Sequence, residues 1–198
     1  MRKHLMTTIT AGILGGALVL AGCSTEDDRG HQGHEGGSSA SVPASSESEM
    51  DHSSMEHPMD GGPAPKGITD APSPKFPVST EVTLTADHME GMDGAKATIA
   101  GAFDTYTYAV SYTPTTGGGP VNNHKWVVQE EIEDAGDERL ADGTEVTLEA
   151  EHMEGMKGAK ATIDSSTDET VYMVDYEADG MMMTNHKWVV ESEIQLAT

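Results

Sequence analysis

Thr80-Glu-Val-Thr-Leu-Thr-Ala-Asp-His88-Met-Glu-Gly-Met92-Asp-Gly-Ala-Lys-Ala-Thr-Ile99 is written again, 64 positions later, as Thr144-Glu-Val-Thr-Leu-Glu-Ala-Glu-His152-Met-Glu-Gly-Met156-Lys-Gly-Ala-Lys-Ala-Thr-Ile163. The copying continues downstream. Tyr108-Ala-Val-Ser-Tyr112 returns at the same offset as Tyr172-Met-Val-Asp-Tyr176. Asn123-His-Lys-Trp-Val-Val128 returns 62 positions on as Asn185-His-Lys-Trp-Val-Val190, so the loop between has lost two residues. The chain therefore carries two tandem copies of one module, which we place at residues 77–134 and 141–198.

Within each copy the hydrophobic period is two. Val82, Leu84 and Ala86 alternate with polar residues, as do Tyr108, Val110 and Tyr112, and His124, Trp126 and Val128. That alternation predicts half-buried strands, separated here by glycine-containing turns at Gly91, Gly94 and Gly117 to Gly119. No stretch keeps helical spacing long enough to predict a helix. The expected fold is all-β, with two tandem small SH3-like β-barrel modules. Modules this short are marginal alone, so the two are expected to pack together across a short polar connector from about Asp134 to Gly143.

Upstream, residues 23–76 are rich in Ser, Gly, Glu, Asp, His and Pro and poor in large aliphatics. Such a segment buries too little apolar surface to offset its ordering entropy and is expected to be a disordered tether. Pro58, Pro63, Pro65, Pro72, Pro74 and Pro77 would stiffen its distal part. Residues 1–22 read as a signal peptide: Arg2, Lys3 and His4 precede an apolar run from Ile9 to Ala21. That run is too short for a comfortable transmembrane helix. It ends in Leu20-Ala21-Gly22-Cys23, which resembles a bacterial lipobox. The resemblance implies cleavage before Cys23 and a diacylglyceryl group on its thiol. Two acyl chains suffice for stable anchoring. The mature protein is thus expected to be membrane-anchored on the extracytoplasmic side.

Composition removes other roles. In 198 residues, 34 Asp and Glu face 11 Lys and Arg, a net charge of −23. Nucleic-acid binding needs clustered Lys and Arg, and so does docking on anionic lipid. A single cysteine excludes an internal disulfide framework and a cysteine zinc cage.

The unusual residue is methionine. Beyond the leader, Met173 is the only one more than five residues from a histidine. Core-filling methionines would follow hydrophobic periodicity instead. Met50, His52, Met55, His57 and Met59 crowd into the tether, where there is no core to fill. Soft thioethers with borderline imidazoles suit Cu(I), and Ag(I) by the same softness. Thioethers also survive an oxidising exterior better than thiols. His31 and His34 could add a weaker imidazole site for Cu(II) or Zn(II).

In the modules, His88, Met89 and Met92, and His152, Met153 and Met156, sit in glycine loops just after a strand. Geometry within each copy would bring His88, Met92 and His124 together, and His152, Met156 and His186. Against this stands a purely structural role, with Asn-His-Lys-Trp fixing a turn and each histidine bonded to backbone. Trp126 and Trp188 are expected in the core. Met181, Met182 and Met183, expected in a turn, cannot all face inward, and they make the second copy the stronger candidate.

Taken together, His-Met-x-Gly-Met-x-Gly-Ala-x-Ala-Thr-Ile, Tyr-x-Val-x-Tyr and Asn-His-Lys-Trp-Val, each present twice, resemble the YdhK-like family of bacterial lipoproteins. That family includes the CopL-type copper-resistance lipoproteins. The resemblance implies an extracytoplasmic copper-binding protein that protects the cell from excess copper, as a buffer or as donor or acceptor for a copper exporter. A different class, an envelope interaction module binding a protein or wall polymer, would show an exposed aromatic cluster. No enzyme is expected: no Ser/His/Asp order, nucleotide loop or His-Glu-x-x-His pattern occurs.

Overall fold

A computed structural model describes residues 58–197. Ten strands follow in order: β1 (Thr69–Asp70), β2 (Glu81–Leu84), β3 (Lys96–Asp104), β4 (Thr107–Tyr112), β5 (Val121–Val128), β6 (Glu145–Thr147), β7 (Lys160–Thr167), β8 (Val171–Ala178), β9 (Met181–Val190) and β10 (Ile194–Leu196). Short 3-10 turns, Gln129–Glu131 and Glu191–Glu193, follow β5 and β9. Among the described residues there is no α-helix. The fold is nearly all β, as the alternation predicts, and its strands form two antiparallel sheets.

The two repeats do not each form their own sheet. One sheet runs β10-β2-β3-β8-β9, with β1 added on β3; the other runs β5-β4-β7-β6. β3 of the first repeat pairs with β8 of the second, Ile99 opposite Val174. Reciprocally, β4 of the first repeat pairs with β7 of the second, Val110 opposite Ile163. The isolated bridge Ile132–Leu148 mirrors the Ile194–Leu84 pairing of β10 with β2. The sheets are thus pseudo-equivalent and mutually exchanged. An SH3-like barrel closed within each repeat is not the arrangement, because β3 and β4 are not partners.

Turn chemistry explains the exchange. A tight two-residue hairpin needs positive φ, usually from Gly, Asn or Asp. Asp179-Gly180 supplies it (φ 51° and 76°), and β8 folds back on β9. Thr105-Tyr106, between β3 and β4, contains no positive-φ residue, and neither does Asp168 to Thr170 between β7 and β8. At both links the chain crosses to the other sheet.

The cores record the same sharing. One packs Leu84, Met92 and Ile99 of the first repeat on Tyr172, Val174 and Tyr176 of the second. Its counterpart packs Tyr108, Val110 and Tyr112 on Leu148, Met156 and Ile163. A third contains Phe103, Trp126, Val128, Val171, Trp188 and Val190, with Trp188 edge-on to Phe103 at 5.7 Å. Both tryptophans are core residues, as expected. The connector is fastened from beneath by Gln129, whose Nε2 donates to the carbonyls of Gly136 and Glu138 (2.9 and 3.0 Å).

The expected tether is shorter than residues 23–76. Its stretch from 58 to 76 lies on the sheets: β1 pairs with Phe103 and Asp104, Ile68 packs on the third core, and Phe76 is buried against Tyr172. A few apolar anchors spaced by prolines suffice to dock it, although average composition reads as tether. Asp60 forms a parallel bridge with Thr184, and Thr184 N–H donates to the Met59 carbonyl (2.8 Å). A Cβ on Gly61 would stand 2.1 Å from the Asn185 carbonyl oxygen. Gly61→Ala is therefore expected to release residues 58–62 and leave the sheets folded. Limited proteolysis should show new cleavage there at an unchanged melting temperature; a global loss of stability would mean the segment is part of the core.

Candidate functional site

Each His-Met-Glu-Gly-Met motif forms a compact loop, and its two methionines have different places. Gly91 and Gly94, like Gly155 and Gly158, take positive φ, and Gly94 and Gly158 donate back to the carbonyls of Leu84 and Leu148 (2.9 and 2.7 Å). The loop closure turns Met92 and Met156 fully into the cores. The structure places these two, expected as ligands, in packing positions within the cores. Met89 and Met153 take the other side of the loop and accept O–H bonds at sulfur, Met89 from Tyr176 and Met153 from Tyr112, both at 3.7 Å. Burial pushes both phenols up to about 12, so at neutral pH they remain donors.

His124 and His186 lie on β5 and β9, opposite Val110 and Val174. The structure does not assemble histidines within a repeat. His88 stacks on His186 (ring centroids 6.0 Å apart), and His124 faces His152 (6.1 Å). Tyr176 stands edge-on to His186 and Tyr112 edge-on to His124. The expected sets, His88 with His124 and His152 with His186, are thus replaced by pairs across the repeats, a direct consequence of the exchanged sheets.

Two glutamates missing from the sequence reading hold the tryptophans, and one of them also holds His152. Each stands five residues after a repeat tryptophan, a spacing that could have revealed them. Glu131 accepts from Trp188 Nε1 (2.9 Å) and lies 2.8 Å from His152 Nε2; Glu193 accepts from Trp126 Nε1 (2.9 Å). Each bond joins one repeat to the other. Burial works to raise the Glu131 carboxyl, but His152 and the Trp188 and Val128 donors outweigh it and hold it below the usual range. At Glu193 burial prevails over Trp126, Val190 and Lys125, Asp87 adds to it, and the carboxyl is pushed up.

A raised carboxyl favours the folded state at low pH, and that contribution is lost as pH rises through its folded value. Trp126 and Val190 both donate to Oε2 of Glu193 (2.9 and 3.2 Å), so a glutamine oxygen there can keep both bonds. Only the weak contact with Lys125 (3.9 Å) is forfeited. Glu193→Gln should therefore gain stability relative to the parent as pH rises from about 4 to 7. Chemical denaturation across that range checks the sign, and a relative loss on raising pH contradicts it.

Beside the histidine pairs opens a cleft of about 1020 Å³, lined by Met59, Met89, Met153, Met181 and Met183 with Tyr176. The five sulfur-bearing residues come from four separate segments. Met59 arrives through the parallel bridge to β9; Met181 and Met183 lie at the start of β9 itself, the turn being Asp179-Gly180. Met181 and Met182 are both 54% exposed and Met183 is buried. Met182 does not line the cleft. Glu90, Glu151, Glu154 and Asp179 outnumber Lys157, which pairs with Glu151 at 3.3 Å, so the cleft's rim is net negative and concentrates cations. Among the described residues no group of three or more His, Cys, Asp or Glu is placed to hold a metal. The donors on offer are thioethers and imidazoles, a set suited to a soft monovalent ion. Cys23, His31, His34, Met50, His52, Met55 and His57 lie outside the described residues.

Comparison with known proteins agrees with the repeat. The family described as "Protein of unknown function (DUF1541)" matches residues 78–129 and 142–191. The chain belongs to the DUF1541 family. It is 46% identical over 179 residues to the uncharacterized protein YdhK of Bacillus subtilis (strain 168), covering 89% of this chain and 82% of that one. A 2.00 Å crystal structure of that DUF1541 protein superposes with a TM-score of 0.68 at 51% identity, covering 75% of this chain and 99% of the other. A solution NMR structure of the YdhK C-terminal domain gives 0.59 at 55% identity, covering 61% and 93%. The DUF1541 motif accordingly spans both the core methionines, Met92 and Met156, and the cleft methionines, Met89 and Met153.

Proposed function

We propose that this DUF1541 chain is an extracytoplasmic lipoprotein, anchored through Cys23, that binds copper as Cu(I) through methionine and histidine and so sequesters it. The observation that carries the reading is the convergence of Met59, Met89, Met153, Met181 and Met183 on one acid-rimmed cleft. Outside the cleft, Met92, Met156 and Met173 are buried, whereas Met59 and Met181 in the cleft are more than half exposed. Exposed thioethers add nothing to packing, but they bind soft metals without losing a proton. A buffer of this kind would take copper at the membrane face and pass it to, or receive it from, an exporter. Binding rather than catalysis is its role. An envelope module gripping a wall polymer is less well supported, because every aromatic side chain except Tyr106 is buried.

The test is anaerobic competition with a chromophoric Cu(I) chelator, with Ag(I), Cu(II) and Zn(II) measured in parallel. The expected order places Cu(I) and Ag(I) well above the divalent ions. Cu(I) affinity no better than that of an unrelated acidic protein would sink the reading. For the anchor, Cys23→Ser should move the protein from the membrane fraction to the medium.

A further inference from the structure

We infer that His152 Nδ1, the His124 ring and the Met153 thioether form a nitrogen–thioether site for a monovalent d10 cation, and that Glu131 positions His152 for it. The inference rests on the soft-cation reading above and narrows it to one site.

His152 is deeply buried, its side chain 6% exposed. Its Nε2 lies 2.8 Å from Glu131 Oε1, while Oε2 of the same carboxylate takes Trp188 Nε1–H at 2.9 Å and Val128 N–H at 3.3 Å. An ionised carboxylate only accepts, so the imidazole proton sits on Nε2. In the neutral ring the lone pair is then on Nδ1, and that atom is buried without a hydrogen-bond partner. A buried acceptor left unmatched is rare in folded proteins and calls for an explanation. A carboxylate holding one imidazole nitrogen while the other is left for an ion is the usual outer-shell pattern of metal-binding histidines.

The surroundings match. The His124 ring centre is 6.1 Å away, tilted by 38°. With metal–nitrogen bonds of about 2.0 Å, two imidazoles flanking one ion hold their centres about 6 Å apart. Tyr112, edge-on to His124, donates its O–H to the Met153 sulfur at 3.7 Å, tying thioether and imidazoles into one group. The site is composite: His124, Tyr112 and Glu131 come from the first repeat, His152, Met153 and Trp188 from the second. Met153 also lines the methionine cleft, which gives an ion a way in.

The experiment titrates Ag(I) into the full mature chain with 15N-labelled histidine and follows the imidazole nitrogens by NMR. The expected result is a shift of His152 Nδ1 while Nε2 keeps its proton. Glu131→Gln should weaken Ag(I) binding about 10- to 100-fold and mix the two tautomers of His152. Should that variant fail to fold, Met153→Leu, a volume-conserving change, must still lower the affinity and leave the tautomer unchanged. Ag(I) bound with His152 Nδ1 unmoved overturns this site and leaves the broader soft-cation reading intact. No Ag(I) bound at all overturns both.

Discussion

Glu131→Gln lowers the stability of the folded chain by about 1–3 kcal/mol, because a buried donor loses its acceptor. Both carboxylate oxygens are in use: Oε1 with His152, Oε2 with Trp188 and Val128. A glutamine offers one oxygen and one amide, so its N–H₂ group faces the imidazole N–H or the indole N–H, or the imidazole proton moves to Nδ1, where no acceptor stands. The orphaned donor has no water to turn to, since Glu131 and Trp188 are both buried. The bonds join the two repeats, so their loss should appear as global unfolding at lower urea, followed by tryptophan fluorescence. Glu193→Gln, chemically the same change at the pseudo-equivalent position, keeps its acceptor geometry and is expected to shift the midpoint far less. Equal losses at the two positions would show that the different hydrogen-bonding of the two carboxylates has no energetic consequence.

That contrast marks the limit of what could be read in advance. The duplicated module, its strands and the buried tryptophans were legible because period-two alternation assigns each side chain to a face. Pairing was not. Tyr108-Ala-Val-Ser-Tyr112 and Tyr172-Met-Val-Asp-Tyr176 are near-copies, so β3 finds almost the same partner surface in either repeat. The deciding feature was small: Thr105-Tyr106 lacks the residue types that make a tight hairpin, whereas Asp179-Gly180 has them. Once the strands exchange, each of these histidine rings lies beside a histidine of the other repeat, a placement that a reading confined to one repeat does not reach.

The methionines divide along similar lines. Clustering near histidine singled them out as unusual, yet proximity in sequence does not separate Met92 and Met156, which only pack in cores, from Met89 and Met153 three residues earlier, which pack on the same cores and also line the cleft. The loop closure makes that separation, and it depends on hydrogen bonds invisible in composition. Docking of residues 58–76 was hidden for a related reason. Phe76 and Ile68 are isolated apolar residues among prolines, and an averaged window dilutes them.

The largest effect on metal binding is expected from the cleft. Replacing Met89, Met153, Met181 and Met183 together by leucine removes thioethers and keeps apolar volume, a swap that cores tolerate at under about 1.5 kcal/mol per site. Leucine has no donor atom, so Cu(I) affinity of the body should fall by well over tenfold, more than about 1.4 kcal/mol. The single change Met182→Leu, beside the cleft residues but not lining it, should leave affinity unchanged. Met92→Leu and Met156→Leu should likewise affect stability alone. A quadruple variant that folds and binds Cu(I) as tightly as the parent would place the metal elsewhere in the chain.

Methionine methyl NMR on the mature chain, before and after one equivalent of Cu(I) under anaerobic conditions, tests the cleft most directly because every methionine reports separately. The expected result is that the methyl signals of Met59, Met89, Met153, Met181 and Met183 shift, while those of Met92, Met156 and Met173 stay in place. Shifts confined to Met50 and Met55, or no shift at all, would contradict copper binding by the folded repeats.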